Sequence, residues 1–319
     1  MRVFIAGATG AIGVPLTRML RSRGHEVLGL DRDPRSAAVL SGLGARPTLA
    51  DALRREELLG ALRGMTADAV VHELTALKKP PLRASGLALT NRLRTEGTSN
   101  LLAAAEALGA KRVVTQSIIF GYGYRDQGAG EVTEDRPFGA PAGDATDAIL
   151  AALRSAEAQT FSAPEGIALR YGAFYGGDAA QLRPALQART IPVAPGGLLG
   201  WVHHFDAAAA TVAALESGRP GEAYNIVDDR PASWLEMFDA MAESLGAPKP
   251  RRVPRWLLRL FAPNLAAFAF ETNIRVSNAK AKRELGWQPR FPTYREGVQA
   301  MAAESAAELF GLEAALHSR

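Results

Sequence analysis

A chain of 319 residues, 47% hydrophobic and 22% charged, has the composition of an ordinary globular protein and the length for one large core or two lobes. Its net charge of +4 comes from scattered arginines and only six lysines, so no basic stripe marks a nucleic-acid partner. The absence of cysteine excludes disulfide frameworks, thiolate metal sites and thiol nucleophiles.

The first apolar run, Arg2–Ala6, reads as a strand and leads straight into Gly7-Ala8-Thr9-Gly10-Ala11-Ile12-Gly13. Glycines at 7, 10 and 13, after a strand and before a helix, form a dinucleotide fingerprint: the backbone can turn tightly against a diphosphate, and the helix start offers free N–H groups. A helix is expected from about Ile12 to Ser22, stopped at Gly24, and then a strand over Glu26–Leu30. Asp31 ends that strand where an acidic residue can accept hydrogen bonds from the adenosine ribose. That favours NAD; Arg32 and Arg35 keep NADP as the alternative, because a guanidinium can grip a 2′-phosphate. A helix near Arg35–Leu43 follows, and Asp51 beside Ala52 reads equally as a helix cap or as a contact to the adenine edge.

Further on, the pattern predicts a strand over Asp68–Val71, a long helix from about Leu87 to Leu108, a strand over Arg112–Thr115, a helix near Thr146–Phe161 and a strand over Ile167–Arg170. This alternation implies an α/β fold, a doubly wound parallel Rossmann sheet with helices on both faces. After Gly176, prolines and glycines break the rhythm, which suggests a smaller interleaved substrate lobe. The nucleotide-binding domain is assigned to 1–175 plus about 203–228, and the substrate lobe to 176–319 less that stretch. The apolar segment Trp256–Phe270 is too short, and too interrupted by Arg259, Pro263 and Asn264, to span a membrane. It reads as a buried helix pair, with a membrane-surface anchor behind Arg251, Arg252 and Arg255, or a substrate lid, as alternatives. With no cleavable apolar segment before the glycine turn, a cytoplasmic location is expected.

These features, with Val70-Val71-His72-Glu73-Leu74-Thr75-Ala76, Ser117-Ile118-Ile119-Phe120-Gly121, Leu169-Arg170-Tyr171 and Trp201-Val202-His203-His204-Phe205-Asp206, resemble the extended short-chain dehydrogenase/reductases. That group includes the NAD-dependent epimerase/dehydratases, and the likeness spans essentially the whole chain. It implies cofactor contacts at Gly7, Gly10, Ile12, Gly13, Asp31, Asp51, Leu74, Thr75, Ala76 and Tyr171, and a homodimer paired through the helices near 87–108 and 146–161.

One departure matters. Family members use a tyrosine four residues before a lysine, the lysine lowering the phenol pKa and the tyrosine moving the proton that accompanies hydride transfer. None of the lysines at 78, 79, 111, 249, 280 and 282 has a tyrosine four positions earlier, and Ile149 and Leu153 fall where the pair should stand. Counting back from Gly121 puts Gln116 on the usual serine position, with Ser117 one residue away. Tyr122 and Tyr124, just past the strand, are the candidate replacement donors; Glu131, Glu134 and Asp135 read as solvated loop charge. His203, His204 and Asp206 suggest a structural His–Asp hydrogen bond at the lobe junction and no metal site, since adjacent side chains of a strand face opposite ways.

The expected function is an NAD(P)-dependent oxidoreductase or isomerase acting on a small carbonyl or hydroxyl metabolite with a non-standard proton donor. Two alternatives stand beside it: a dinucleotide-binding redox sensor or scaffold without turnover, and a lyase or cyclase without net hydride transfer.

Overall fold

Apolar runs that are buried on both faces become the strands of one parallel sheet. The computed structural model describes residues 1–77, 81–177 and 179–303; Lys78, Lys79 and the last stretch of the expected substrate lobe, 304–319, lie outside the described residues. Seven strands, β1 (Arg2–Ala6), β2 (Glu26–Asp31), β3 (Arg46–Leu49), β4 (Ala69–His72), β5 (Arg112–Ile118), β6 (Glu165–Tyr171) and β7 (Ala223–Ile226), pair in the order β7-β6-β5-β4-β1-β2-β3. Every pairing in this sheet is parallel.

Strand alternation sorts the core into two layers. Val3 and Ile5 of β1 face the helices Gly13–Ser22, His204–Ser217 and Ala279–Leu285, while Phe4 and Ala6 face Arg55–Ala61 and Thr98–Leu108. The helix Asp147–Phe161 lies on β5 and β6, tied by the Thr160 hydroxyl to Thr115 Oγ1 at 2.9 Å. Strand order reverses between β1 and β4, and their C-terminal ends open the crevice where doubly wound folds bind ligands.

Several elements differ from the sequence expectation, each for a physical reason. β3 carries Arg46 and Pro47, which suppress a strand signal, and Pro47 is tolerated there because β3 is an edge strand. The long helix forms as Ala88–Arg92, a π-helical segment Leu93–Gly97, and Thr98–Leu108, ending at Gly109 with φ +73°. Asp126–Val132, whose Gly128 and Gly130 mask it as loop, is a strand parallel to Asn273–Val276.

Trp201, Trp234 and Phe270 anchor a separate apolar cluster built largely from residues beyond 170. Within the segment expected as a buried helix pair, Leu265, Ala266, Ala269 and Phe270 are buried, whereas Trp256, Leu260 and Phe261 on the helix Arg255–Phe261 are 66%, 64% and 64% exposed. The burial expectation is therefore corrected for the first helix, whose outward face has nothing among the described residues to cover it. No described helix is long and apolar enough to cross a membrane.

Candidate active site

Gly7 sits at φ +98°, and a Cβ there would lie 2.8 Å from the carbonyl oxygen of Glu73. A Cβ on Gly13 would lie 2.0 Å from the carbonyl oxygen of Gly7. The turn closes with the Gly10 N–H donating to Gly7 O at 3.0 Å. No side chain caps the helix that begins at Gly13, and its first turn holds no acidic residue. Gly10 and Ala11 are exposed at the mouth while Ile12 is buried beneath them. A turn too tight for a Cβ at Gly7 or Gly13, opening onto an uncapped helix start, fits a dinucleotide diphosphate.

The Thr9 hydroxyl donates to Asp31 Oδ2, and the Asp33 N–H donates to Asp31 Oδ1 at 2.9 Å. Those bonds orient the carboxylate at the end of β2, where ribose hydroxyls would meet it. Arg35 is committed to Asp33 at 2.7 Å; Arg32 is exposed and has no ion pair among the described residues. Asp51 Oδ1 accepts the Leu53 N–H at 2.9 Å, so it caps its own turn. The side chain of Ala52 is buried, and its carbonyl accepts from Asn100 Nδ2 at 2.8 Å. Leu74, Thr75 and Ala76 run on from β4; Thr75 and Ala76 are exposed, and Gln116 Nε2 donates to Leu74 O at 2.6 Å.

Tyr171 is a correction. It is wholly buried, its hydroxyl donating to Glu73 Oε1 at 3.0 Å and bonded to Thr211 Oγ1 at 2.7 Å, so it offers no surface to a cofactor. Burial pushes the Glu73 carboxyl up to about 8, opposed by the Tyr171 hydrogen bond, and leaves its other oxygen without a partner. Beside it, burial pulls His72 down to about 4. The neutral ring fits its contacts: Nδ1 accepts from the Leu74 N–H and Nε2 lies 3.2 Å from Leu93 O.

Where the Tyr/Lys pair would stand, Ile149 and Leu153 are 1% and 0% exposed and join Leu87 in an apolar floor against which Tyr124 and Phe138 pack. Ser117 is buried with its hydroxyl unpartnered. Tyr122 is a second correction. Its hydroxyl donates to Asn225 Oδ1 at 2.8 Å and accepts from Arg170 Nη1 at 2.8 Å, while Arg170 grips Glu157 at 2.9 and 2.7 Å. This buried strut ties β6 and β7 to the helix Asp147–Phe161 and leaves the hydroxyl no proton to spare. Tyr124 stacks on Phe120 at 5.4 Å and makes no hydrogen bond through its hydroxyl among the described residues. Burial pushes that phenol up to about 12, opposed by the charge of Arg94.

Glu131 and Asp135 are exposed, whereas Glu134 Oε1 accepts the Asn225 N–H at 2.7 Å. The expected His–Asp bond is absent: Asp206 accepts from the N–H groups of Arg290 and Phe291 at 2.7 and 3.1 Å, and His203 Nδ1 caps the following helix through Phe205 N–H. Among the described residues no three metal-type ligands cluster. Arg94 and the Arg170–Glu157 pair escaped the sequence reading, although an arginine interrupting the apolar positions after Leu93 is a signal that could have found the first.

A model of the NAD dependent epimerase/dehydratase family matches residues 3–227. The chain is 38% identical to a 3-diazoavenalumate denitrifying reductase from Streptomyces sp. over 313 residues, 93% of this chain and 99% of that protein. It is 29% identical to a 2-alkyl-3-oxoalkanoate reductase from Stenotrophomonas maltophilia over 96% of this chain and 100% of the other. Among solved structures, UDP-glucose 4-epimerase from Thermus thermophilus in complex with NAD matches with a TM-score of 0.76 at 22% identity, covering 96% and 99% of the two chains. That last likeness is one of fold.

Proposed function

The chain belongs to the NAD dependent epimerase/dehydratase family, and on that premise we propose that it is a reductase of a small aromatic metabolite whose reaction draws no proton from a Tyr/Lys pair. It is an oxidoreductase of the extended short-chain dehydrogenase/reductase type with a nicotinamide dinucleotide cofactor. The finer reading rests on one observation: Ile149 and Leu153 are apolar and fully packed in the pair's place.

In this reading Gly7, Gly10, Ala11 and Gly13 cradle the diphosphate, Asp31 with Thr9 takes the adenosine ribose and favours NAD, and Leu74 to Ala76 line the path between. Arg32 is the residue through which NADP would be accepted. The described residues from 179 to 303, less 203–228, wall the substrate side, and the protein works as a cytoplasmic homodimer. A reduced nicotinamide held there would supply a hydride able to replace N2 at an arenediazonium carbon with no proton required, whereas a carbonyl reduced the same way would also need a proton. With Ile149 and Leu153 apolar and buried, the place of the Tyr/Lys pair supplies no acid to that carbon. The 38% identical relative is named for a diazo substrate and for its denitrification, which supports the same chemistry here.

A second reading has its own observation. Tyr124 has a hydroxyl without a partner among the described residues and a phenol held protonated beside the Arg94 charge, so it is the group placed to donate to a carbonyl oxygen. Anaerobic assays with NADH or NADPH, using 4-methoxybenzenediazonium and acetophenone as probes, separate the two. The first reading expects NADH consumption above the uncatalysed rate with matching yields of anisole and N2, unchanged in Tyr124→Phe. Ketone reduction lost in Tyr124→Phe would establish the second, and no consumption of NADH or of NADPH with either probe would sink both.

A further inference from the structure

The π segment Leu93–Gly97 carries a single arginine. Arg94 is only 8% exposed, and its hydrogen bond among the described residues runs from Nη1 to Asn91 Oδ1 at 3.2 Å. No carboxylate pairs with it among the described residues. The contrast with Arg170 is direct: that buried guanidinium is matched by Glu157 in a two-point ion pair, and its pKa is raised above the ordinary value. Burial instead pulls Arg94 below the ordinary arginine value, the sign of a buried cation without its counter-charge. A guanidinium has N–H donors in a fixed fork that suits a carboxylate, and among the described residues only one nitrogen of Arg94 has a side-chain partner.

Its location gives the missing partner an address. Leu93 O meets His72 Nε2 at 3.2 Å, which fixes the turn bearing Arg94 over the C-terminal end of β4, next to Glu73 and Leu74. The charge of Arg94 acts on His72 and on Tyr124, at the ends of β4 and β5. Arg94 therefore stands at the half of the sheet's C-terminal edge away from Asp31, where the reacting end of the cofactor and the substrate would meet. The π segment packs on the helix that carries Ile149 and Leu153, and such single π turns recur at functional sites.

We infer that Arg94 anchors a carboxylate of the substrate, which makes the substrate class an aromatic acid whose ring rests against Tyr124, itself backed by the buried Ile149 and Leu153. This deepens the reductase reading and rests on it for the ring; the anchor itself is tested without turnover. The probes are cinnamate and methyl cinnamate, titrated calorimetrically into the protein saturated with NAD+. Cinnamate is expected to bind about tenfold or more tightly than its ester. Arg94→Met should bring the acid down to the level of the ester, and Arg94→Lys should keep part of the preference. Equal binding of acid and ester, no binding of either, or a preference that survives Arg94→Met would overturn the anchor. The comparison of acid with ester on the unaltered protein decides the matter even where Arg94→Met fails to fold. Loss of turnover in the diazonium assay would sink the reductase reading and leave this binding result standing, so the two failures are distinguishable.

Discussion

Gly7 has no space for a methyl group: its φ of +98° is strained for any side chain, and the Glu73 carbonyl stands 2.8 Å from where a Cβ would go. Gly7→Ala is expected to lower stability by about 1–3 kcal/mol and weaken NADH binding by an order of magnitude or more, read by urea unfolding and by NADH fluorescence. Beneath that turn, Glu73 is a titrating liability. Its carboxyl has an ordinary value of 4.5 in the unfolded chain and about 8 in the fold. Between those values the unfolded chain has released a proton that the folded state keeps, so stability falls as pH climbs from about 4.5 to about 8. Glu73→Gln is neutral throughout and preserves an acceptor for Tyr171. It is expected to melt above the wild type near pH 8 and level with it near pH 4.5. A Tm difference that does not change over that range would show that the carboxyl is not buried neutral.

Helix Asp147–Phe161 is held to β6 by the Arg170–Glu157 pair, and that pair is the junction's most exposed weakness. Arg170→Met strands a buried carboxylate and is expected to cost about 3–5 kcal/mol in urea unfolding; adding Glu157→Leu should recover much of the loss. An equal loss in the double variant would show that packing around the guanidinium, and not the charge, carries the effect. The same element shows where reading a sequence runs out. β1, β2, β4, β5 and β6 are legible to within a few residues because a strand buried on both faces must be apolar throughout. β3 with Pro47, and the strand Asp126–Val132 with its two glycines, are held by their partners and carry little signal of their own. At the site, the glycine turn and Asp31 are local in the chain and were visible. The fates of Tyr122 and Tyr171 were not, since alternation says which face a side chain takes but not that Asn225, or Glu73 and Thr211, wait there. Arg94 depends in the same way on the π turn that aims it, which periodicity alone does not reveal.

Across the whole molecule, chain order and spatial order disagree at one edge of the sheet. β6 ends at Tyr171, yet β7, which covers its free edge, does not begin until Ala223, and the helix His204–Ser217 between them packs on Gly13–Ser22 from the start of the chain. A fragment of residues 1–175 lacks both coverings. It is expected to melt without a cooperative transition and to scatter light on concentration, whereas a sharp thermal transition by circular dichroism would show that the first six strands suffice. On the ribosome, that topology becomes a timing problem. At about 5–20 residues per second, roughly 3–10 s separate the synthesis of β6 from that of β7. Throughout that interval the nascent chain presents an open row of peptide groups to its neighbours on the same message. Crowded polysomes, or a translational pause just after Tyr171, would lengthen the time in which a strand from another copy can take the place reserved for β7.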